Sequence, residues 1–212
     1  MNLLRWTDPL AEANCYLLGE NGAALVIDPC EPAGPIEKLE QKGWTPTFIL
    51  LTHEHCDHTA GLEAMRRRYP DATVASSAAC SEGIQSKRLN MSGMMEVFLT
   101  FRGKPGISYP SFTCRPAGLT FAGRHELLWQ GHRLACVSLP GHTPGSIGIF
   151  LDDTSFFSGD YLLPGETEQL RLPGGDAQAY ARVTKPFLDG LTPGLRIYPG
   201  HGAPFILQRK NR

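Results

Sequence analysis

The chain has 212 residues, which fits one domain of generous size. Hydrophobic residues make up 42% of the sequence and charged residues 19%, a composition typical of a globular rather than a disordered protein. Lys and Arg total 20 against 21 Asp and Glu, a net charge of −1 that argues against nucleic-acid binding through a basic face, and no apolar run is long enough to span a membrane.

The first half of the chain is predicted to alternate between short strands and helices. Four apolar runs are predicted strands: 14–18, 23–28, 48–51 and 72–75. Two stretches are predicted helices, over 35–42, where Gly43 ends the helix, and from about 58 to 69.

The second half continues the alternation. Five further runs are predicted strands: 127–129, 133–139, 146–151, 154–157 and 195–198. A helix is predicted over 176–188. Strands interleaved with helices favour an α/β layered architecture, and without a linker or repeat we expect a single domain over residues 1–212.

Histidines carry the strongest functional signal. Three of the seven lie within six residues, where His53, His55 and His58 surround Asp57. A chance match to this H-x-H-x-D-H pattern has odds on the order of a few in ten thousand, so it is a strong motif. Two more histidines each follow a Pro-Gly pair, in 140–142 and 199–201.

The candidate site residues follow the ends of predicted strands. His53 comes after strand 48–51, and His142, Asp160 and His201 come after later strands. Strand ends on a rigid scaffold are where α/β proteins build their sites. We therefore expect five histidines and two aspartates to meet at one edge of the core.

This residue set predicts a metal centre. Imidazole nitrogens and carboxylate oxygens suit Zn, Fe or Mn, and none of the six cysteines forms a C-x-x-C pair. Seven ligands are too many for one tetrahedral ion and about right for two ions with open positions. Two such ions activate a shared water, so the predicted reaction is attack of metal-bound hydroxide on a carbonyl or phosphoryl centre.

An ordered set of motifs covers essentially the whole chain. It comprises Asn14-Cys-Tyr-Leu-Leu18, Val26-Ile-Asp-Pro29, Thr52-His-Glu-His-Cys-Asp-His58, Pro140-Gly-His-Thr-Pro-Gly145, Ser158-Gly-Asp160 and Pro199-Gly-His-Gly202. This set resembles the metallo-β-lactamase-fold hydrolases. The resemblance implies a four-layer αβ/βα sandwich with the metal site at one edge.

The resemblance also implies how the seven ligands are shared. One metal would be held by His53, His55 and His142. The other would be held by Asp57, His58 and His201, with Asp160 bridging both, and Asp57 would also anchor the attacking hydroxide. Asp28, at the end of its strand, is expected to be a structural residue that orients either the backbone of the metal-binding loop or a histidine that lies behind the ligands.

Within the superfamily the chain is most similar to the glyoxalase II-type (hydroxyacylglutathione hydrolase-like) thioesterases. Pro173-Gly-Gly-Asp176 is similar to the segment that follows their bridging aspartate. Where their short bacterial members carry Gly-Arg-Thr/Ser-Asp, this chain has Glu168-Gln-Leu-Arg171. The helical C-terminal extension that contacts glutathione in the longer glyoxalase II enzymes is not expected in this chain, since the sequence continues for only 11 residues after His201. The resemblance therefore does not indicate that glutathione is the thiol carrier of the substrate.

A further departure is an apparent inserted segment at about 80–116. Its Met91, Met94, Met95, Phe98 and Phe101 recur at helical spacing. Two interpretations stay open: an extra helix that packs its apolar stripe on the core, or a lid or pocket wall that shapes an apolar substrate site.

The sequence thus predicts a hydrolase with two divalent ions, most simply zinc, that cleaves a thioester or activated ester of a small molecule. The superfamily leaves two alternatives: a persulfide dioxygenase with one iron on His53, His142 and Asp160, or a regulatory member with little turnover. The N-terminus shows no secretory signal, so a cytoplasmic protein that binds neither membrane nor nucleic acid is expected. The oligomeric state is left open.

Overall fold

The computed structural model describes residues 1–208, in which two six-stranded mixed sheets stack face to face. The first sheet has its strands in chain order: β1 (Asn2–Thr7), β2 (Asn14–Glu20), β3 (Ala23–Ile27), β4 (Thr45–Leu50), β5 (Thr73–Ser77) and β6 (Leu119–Phe121). The second sheet has the reverse order, from β12 to β7: β7 (Arg124–Trp129), β8 (His132–Ser138), β9 (Ile147–Leu151), β10 (Ser155–Gly159), β11 (Arg196–Pro199) and β12 (Phe205–Ile206).

Helices connect the strands and cover the sheets. Five precede the second sheet: α1 (Gly34–Lys42), α2 (Cys56–Thr59), α3 (Leu62–Arg68), α4 (Ala78–Gly83) and α5 (Met95–Phe101). A further helical stretch comprises α6 (Ala177–Ala179), a π-helical segment (Tyr180–Thr184) and α7 (Lys185–Asp189). Within the described range, 1–208, no helix is both long and apolar enough to cross a bilayer.

Side-chain alternation along the strands produces four layers. In β2, Cys15 and Leu17 pack with residues of α1, α3 and α4, whereas Tyr16 and Leu18 pack with the second sheet. The far face of the second sheet packs against α7 through Leu188. The order helix, sheet, sheet, helix is the predicted αβ/βα sandwich, and the fold prediction is confirmed.

Three details differ from the sequence-based expectation. The helix predicted over 58–69 is divided into α2 and α3, because the backbone N–H of Gly61 donates to the Pro29 carbonyl at 2.7 Å rather than to a carbonyl of the preceding helical turn. Strands β1, β6 and β12 were not predicted, and β6 and β12 have only three and two residues. Of the residues 91–101 that recur at helical spacing, only α5 is an α-helix, and a short 3₁₀ turn precedes it. A continuous helix from Met91 is prevented because this residue has a positive φ of 62°.

Candidate metal centre

The predicted ligands lie in four loops that leave the strands at one edge of the sandwich. His53 and His55 occupy the extended connection from β4 to α2, and the first turn of α2 carries Asp57 and His58. The other three come from the second sheet: His142 lies between β8 and β9, Asp160 directly follows β10, and His201 follows β11. The structure therefore brings together all seven residues that the sequence singled out.

One group consists of three histidines. His53, His55 and His142 each offer a nitrogen, and these nitrogens all lie within 4.8 Å of one another. His142 Nε2 and His55 Nδ1 are 3.0 Å apart. Three imidazoles facing a common point are a ligand set for Zn²⁺ or another first-row divalent ion.

The second group consists of Asp57, His58 and His201, whose ligand atoms also lie within 4.8 Å. His201 Nε2 is 3.3 Å from Asp57 Oδ2, and His58 Nε2 is 3.9 Å from the same oxygen. Asp57 and His201 retain 15% side-chain exposure, so this group is the more open to the pocket.

Asp160 lies between the two groups. Its Oδ1 is 3.2 Å from His58 Nε2, whereas its Oδ2 is 3.4 Å from His142 Nε2 and 3.7 Å from His201 Nε2. The adjacent loop leaves room for this carboxylate because residue 200 is glycine. A Cβ at Gly200 would collide with Asp160 Oδ1 and lie 2.8 Å from His58 Cε1.

Several buried polar atoms of this cluster have no hydrogen-bond partner among the described residues: His53 Nε2, His55 Nε2, His58 Nε2 and Asp160 Oδ1. Unpartnered buried nitrogens and oxygens are rare in folded proteins and require an explanation. Divalent cations would supply the missing partner for His53 Nε2, His58 Nε2 and Asp160 Oδ1, whereas His55 faces the cluster with Nδ1, 3.0 Å from His142 Nε2. The donor set therefore fits the metals that the sequence predicts.

The pKa values separate the donors into neutral and charged ones. Burial, together with the adjacent His58, holds the pKa of His53 well below its usual value. Burial and the adjacent His142 lower the pKa of His55 to about 3, so both imidazoles are neutral at physiological pH. Burial alone would raise the pKa of Asp57, but His58 and His201 lower it below its ordinary value, so this carboxyl is ionised.

Asp28 lies behind the loop that carries the candidate ligands and orients two of its histidines. Its Oδ2 accepts hydrogen bonds from the Thr52 hydroxyl at 2.6 Å and from His58 Nδ1 at 3.0 Å. Because the Thr52 hydroxyl donates to Asp28, its oxygen is left to accept from His53 Nδ1, 3.0 Å away. Each ring therefore donates from Nδ1 and directs Nε2, the atom that would bind a metal, toward the cluster.

His142 is held by two groups that sequence reasoning did not assign to the site. Its Nδ1 donates to the Gln169 carbonyl oxygen at 2.8 Å, and its backbone N–H donates to the Tyr161 hydroxyl oxygen at 2.8 Å. The Tyr161 hydroxyl in turn donates to the Leu139 carbonyl at 2.7 Å. Every residue has a backbone carbonyl, so the contact with Gln169 could not be predicted from the sequence. The sequence also does not distinguish Tyr161 from an aromatic residue that only packs in the core.

A pocket of about 240 Å³ opens over the cluster. Its floor contains five of the seven predicted ligands: His55, Asp57, His142, Asp160 and His201. Its walls are formed by Cys56, Met91, Met95, Phe98, Arg102, Leu163, Glu166, Gln169 and Leu172. A small molecule in this pocket would contact the candidate metal ligands directly.

Comparison with known proteins agrees with this fold and site. The chain is 30% identical over 193 residues to "Probable metallo-hydrolase YqgX" of Bacillus subtilis, covering 90% of this chain and 85% of that protein. It is 28% identical to "Hydroxyacylglutathione hydrolase" of Klebsiella pneumoniae over 73% of this chain, and it spans about half (52%) of that relative's length.

Among solved structures, that of the BLEG-1 B3 metallo-beta-lactamase superposes with a TM-score of 0.82. The two are 24% identical, and the match covers 97% of this chain and 94% of the other, so it shows a shared fold. A family model described as "Metallo-beta-lactamase superfamily" matches residues 9–201, which include all seven predicted ligands. The chain belongs to the metallo-β-lactamase superfamily.

Proposed function

We propose that this protein is a dinuclear metal-dependent hydrolase that cleaves a thioester or a similarly activated ester of a small molecule. The proposal depends chiefly on the position of Asp160. Its Oδ1 lies 3.2 Å from His58 Nε2, and its Oδ2 lies 3.4 Å from His142 Nε2 and 3.7 Å from His201 Nε2, so the carboxylate contacts both groups. A carboxylate between two triads of ligand atoms is suited to bridging two ions.

Each residue then has a role. His53, His55 and His142 would hold one ion, Asp57, His58 and His201 the other, and Asp160 both. Two adjacent divalent ions lower the pKa of a water and polarise the substrate carbonyl. Zinc matches this set of imidazoles and carboxylates, which Fe and Mn also accept. Asp57, ionised and partly exposed on the pocket floor, is placed to orient the attacking water.

The pocket favours a substrate with a good leaving group. Among its described lining residues, Glu166 is the only carboxyl outside the proposed ligand set, and its Oε1 lies 3.9 Å from Arg102 Nη1. No other carboxyl of the described lining is available to protonate a departing alkoxide. A thiolate needs little such help, because the pKa of its conjugate acid is about 8.5. The similarity to a hydroxyacylglutathione hydrolase supports the same class of reaction.

The first test is the metal content of protein purified without added metal or chelator, followed by assays against a panel of thioesters. We expect about two ions per chain and turnover that chelation abolishes and zinc restores. One iron per chain, with oxygen uptake in the presence of a persulfide, would contradict the proposal and favour dioxygenase chemistry.

Substitution of Asp57 tests its proposed catalytic role independently of its contribution to the fold. We expect Asp57→Ala to lower kcat/KM by at least roughly 100-fold, since it removes both a ligand and the group that orients the water. Asp71→Ala, a change of the same kind outside the cluster, is the matched control and should leave kcat/KM within about twofold. Near-normal turnover of Asp57→Ala would refute the role given to this carboxylate.

A further inference from the structure

Much of the pocket wall outside the metal cluster is apolar, and three of its apolar residues come from one segment, residues 84–118, between α4 and β6. We propose that this wall selects substrates whose acyl group is an unbranched alkyl chain, rather than a small hydroxyacyl group. The inference rests on the proposed hydrolase function and adds to it the chemistry of the acyl group. Its central residues are Met91, Met95 and Phe98.

Two elements enclose the space that an acyl group would occupy. Met91, Met95 and Phe98 line it together with Leu163 and Leu172, from the loop after β10. The alkyl chain of a substrate whose carbonyl lies over the ligands on the pocket floor would contact these side chains. Methionine side chains adapt their shape, so such a wall accepts chains of several lengths.

The charged residues of the pocket do not favour a polar acyl group. Arg102 and Glu166 are 44% and 39% exposed, lie 3.9 Å from each other and therefore largely neutralise one another. The hydroxyl of a small hydroxyacyl group against the methionine and leucine side chains would lose its hydrogen bonds to water without replacement. Each methylene of an alkyl chain, in contrast, should strengthen binding by roughly fourfold as it leaves water.

The wall is hydrogen-bonded to the loop that carries the candidate ligands. The backbone N–H of Cys56, between His55 and Asp57, donates to the Asn90 carbonyl at 2.7 Å. Asn90 Nδ2 donates to the Phe112 carbonyl at 2.9 Å, which ties the two ends of the segment together. Met95 and Leu99 are 3% and 1% exposed in a cluster that includes Cys56. These contacts join the wall directly to the segment that carries His55 and Asp57.

The same helix supplies a matched control. Phe98 lines the pocket and is half-buried, whereas Phe101, three residues later on α5, is 86% exposed and is absent from the pocket lining. Phe98→Ala and Phe101→Ala therefore remove the same side chain from the same element. Only the first should alter the recognition of an acyl group.

The test is a series of straight-chain acyl thioesters, acetyl to octanoyl, on one thiol, N-acetylcysteamine, with the zinc-loaded protein. For the unmodified protein we expect kcat/KM to rise about fourfold per methylene until the pocket is filled. Phe98→Ala should reduce kcat/KM for octanoyl by about tenfold or more and for acetyl by less than about twofold. Phe101→Ala should reproduce the unmodified profile. A flat profile in the unmodified protein, or equal losses for all chain lengths in Phe98→Ala, would overturn the proposal.

Binding of the corresponding carboxylates, acetate to octanoate, by calorimetry gives a readout that needs no turnover. If no thioester is hydrolysed but the dissociation constant still falls with chain length, the hydrolase proposal fails and the apolar acyl site stands. If thioesters are hydrolysed while neither kcat/KM nor the dissociation constant depends on chain length, the hydrolase stands and the acyl site fails. Both measurements use the unmodified protein, so the two proposals can be distinguished even if Phe98→Ala does not fold.

Discussion

The orientation of the candidate ligands depends on single residues behind them, and Asp28 is the clearest case. Its carboxylate accepts from the Thr52 backbone N–H at 2.7 Å as well as from the Thr52 hydroxyl and His58 Nδ1. Its own backbone has a φ of 53°, uncommon for a residue other than glycine, which the surrounding hydrogen bonds maintain. Both candidate metal positions therefore depend on one buried side chain.

Asp28→Asn tests this dependence. An amide replaces one acceptor oxygen with a donor, which then faces an N–H or O–H of Thr52 or His58. We expect zinc affinity to fall by about 10- to 100-fold, as is usual when the partner of a ligand histidine is lost. The measurement is competition with a chromophoric chelator, with circular dichroism to check the fold.

The matched control for Asp28→Asn is Asp152→Asn, which changes a carboxylate that also bonds a histidine, His132, but lies outside the metal cluster. Its zinc affinity should equal that of the unmodified protein. Unchanged affinity in Asp28→Asn, or equal losses in both variants, would rule out the positioning role.

Among the elements, the helical stretch 177–189 supports the loop that carries His142. The backbone N–H of Asp176 donates to the Gly141 carbonyl at 2.8 Å, and the Thr184 hydroxyl donates to the Pro140 carbonyl at 2.6 Å. Asp176 is also the N-cap, since its Oδ1 accepts from the backbone N–H groups of Gln178 and Ala179 at 2.8 and 2.9 Å. The cap therefore stabilises both the helix and its contact with the site.

Asp176→Ala should lower the free energy of unfolding by about 1 kcal/mol, because two backbone N–H groups lose their acceptor. Asn is as good an N-cap as Asp, so Asp176→Asn should stay within about 0.5 kcal/mol of the unmodified protein. Urea denaturation of the zinc-loaded proteins measures both values. Equal destabilisation by the two substitutions would show that the cap hydrogen bonds are not the cause.

The secondary-structure elements that could be predicted from the sequence are those that a continuous pattern of apolar and turn residues defines. The 176–188 helix and the hairpin strands lie close to their expected positions, because apolar periodicity and turn residues mark them. The edge strands β1, β6 and β12 were missed because strand pairing, a long-range property, defines them. The seven candidate ligands come from motifs, whereas the Gln169 carbonyl and Leu163 and Leu172 depend on how a loop of irregular backbone folds over the site.

For the molecule as a whole, the two sheets are joined at both ends of β2. At one end, Asn14 Nδ2 donates to the Pro199 and Gly202 carbonyls of the second sheet's loop at 3.0 and 2.8 Å. At the other end, His132 of the second sheet contacts Glu20 Oε2 at 2.7 Å and Asp152 Oδ2 at 2.5 Å. This second contact depends on protonation and therefore on pH.

The pKa shifts of His132, Glu20 and Asp152 determine how this contact changes the stability of the fold with pH. Hydrogen bonds to Asp152 and Glu20 raise the pKa of His132. Its stabilising contribution is complete below the unfolded pKa of about 6.5 and is lost as pH rises through the folded value. The hydrogen bond from His132 lowers the pKa of Glu20, and it lowers that of Asp152 against the opposing effect of burial. The carboxylates therefore contribute above about pH 4 and lose that contribution as pH falls.

His132→Gln should consequently reduce the free energy of unfolding most between about pH 4.5 and 6.5, and progressively less as pH rises above the folded pKa. Urea titrations of the zinc-loaded proteins across pH 4 to 9 give this difference. The control is His125→Gln. His125 is a half-buried histidine of the second sheet, like His132, and its ring stacks on Phe121. A difference for His132→Gln that is constant across the range would exclude the protonated contact.

The division of the candidate ligands between the two sheets has a consequence for the order of assembly. Each set of three takes two members from the connection after β4 and one from the second sheet. No complete set exists in a growing chain until residue 142, for the first, or residue 201, for the second, has been made and both sheets have come together. We therefore expect the ions to enter a sandwich that has already formed, so that scarcity of metal would leave the protein folded and inactive.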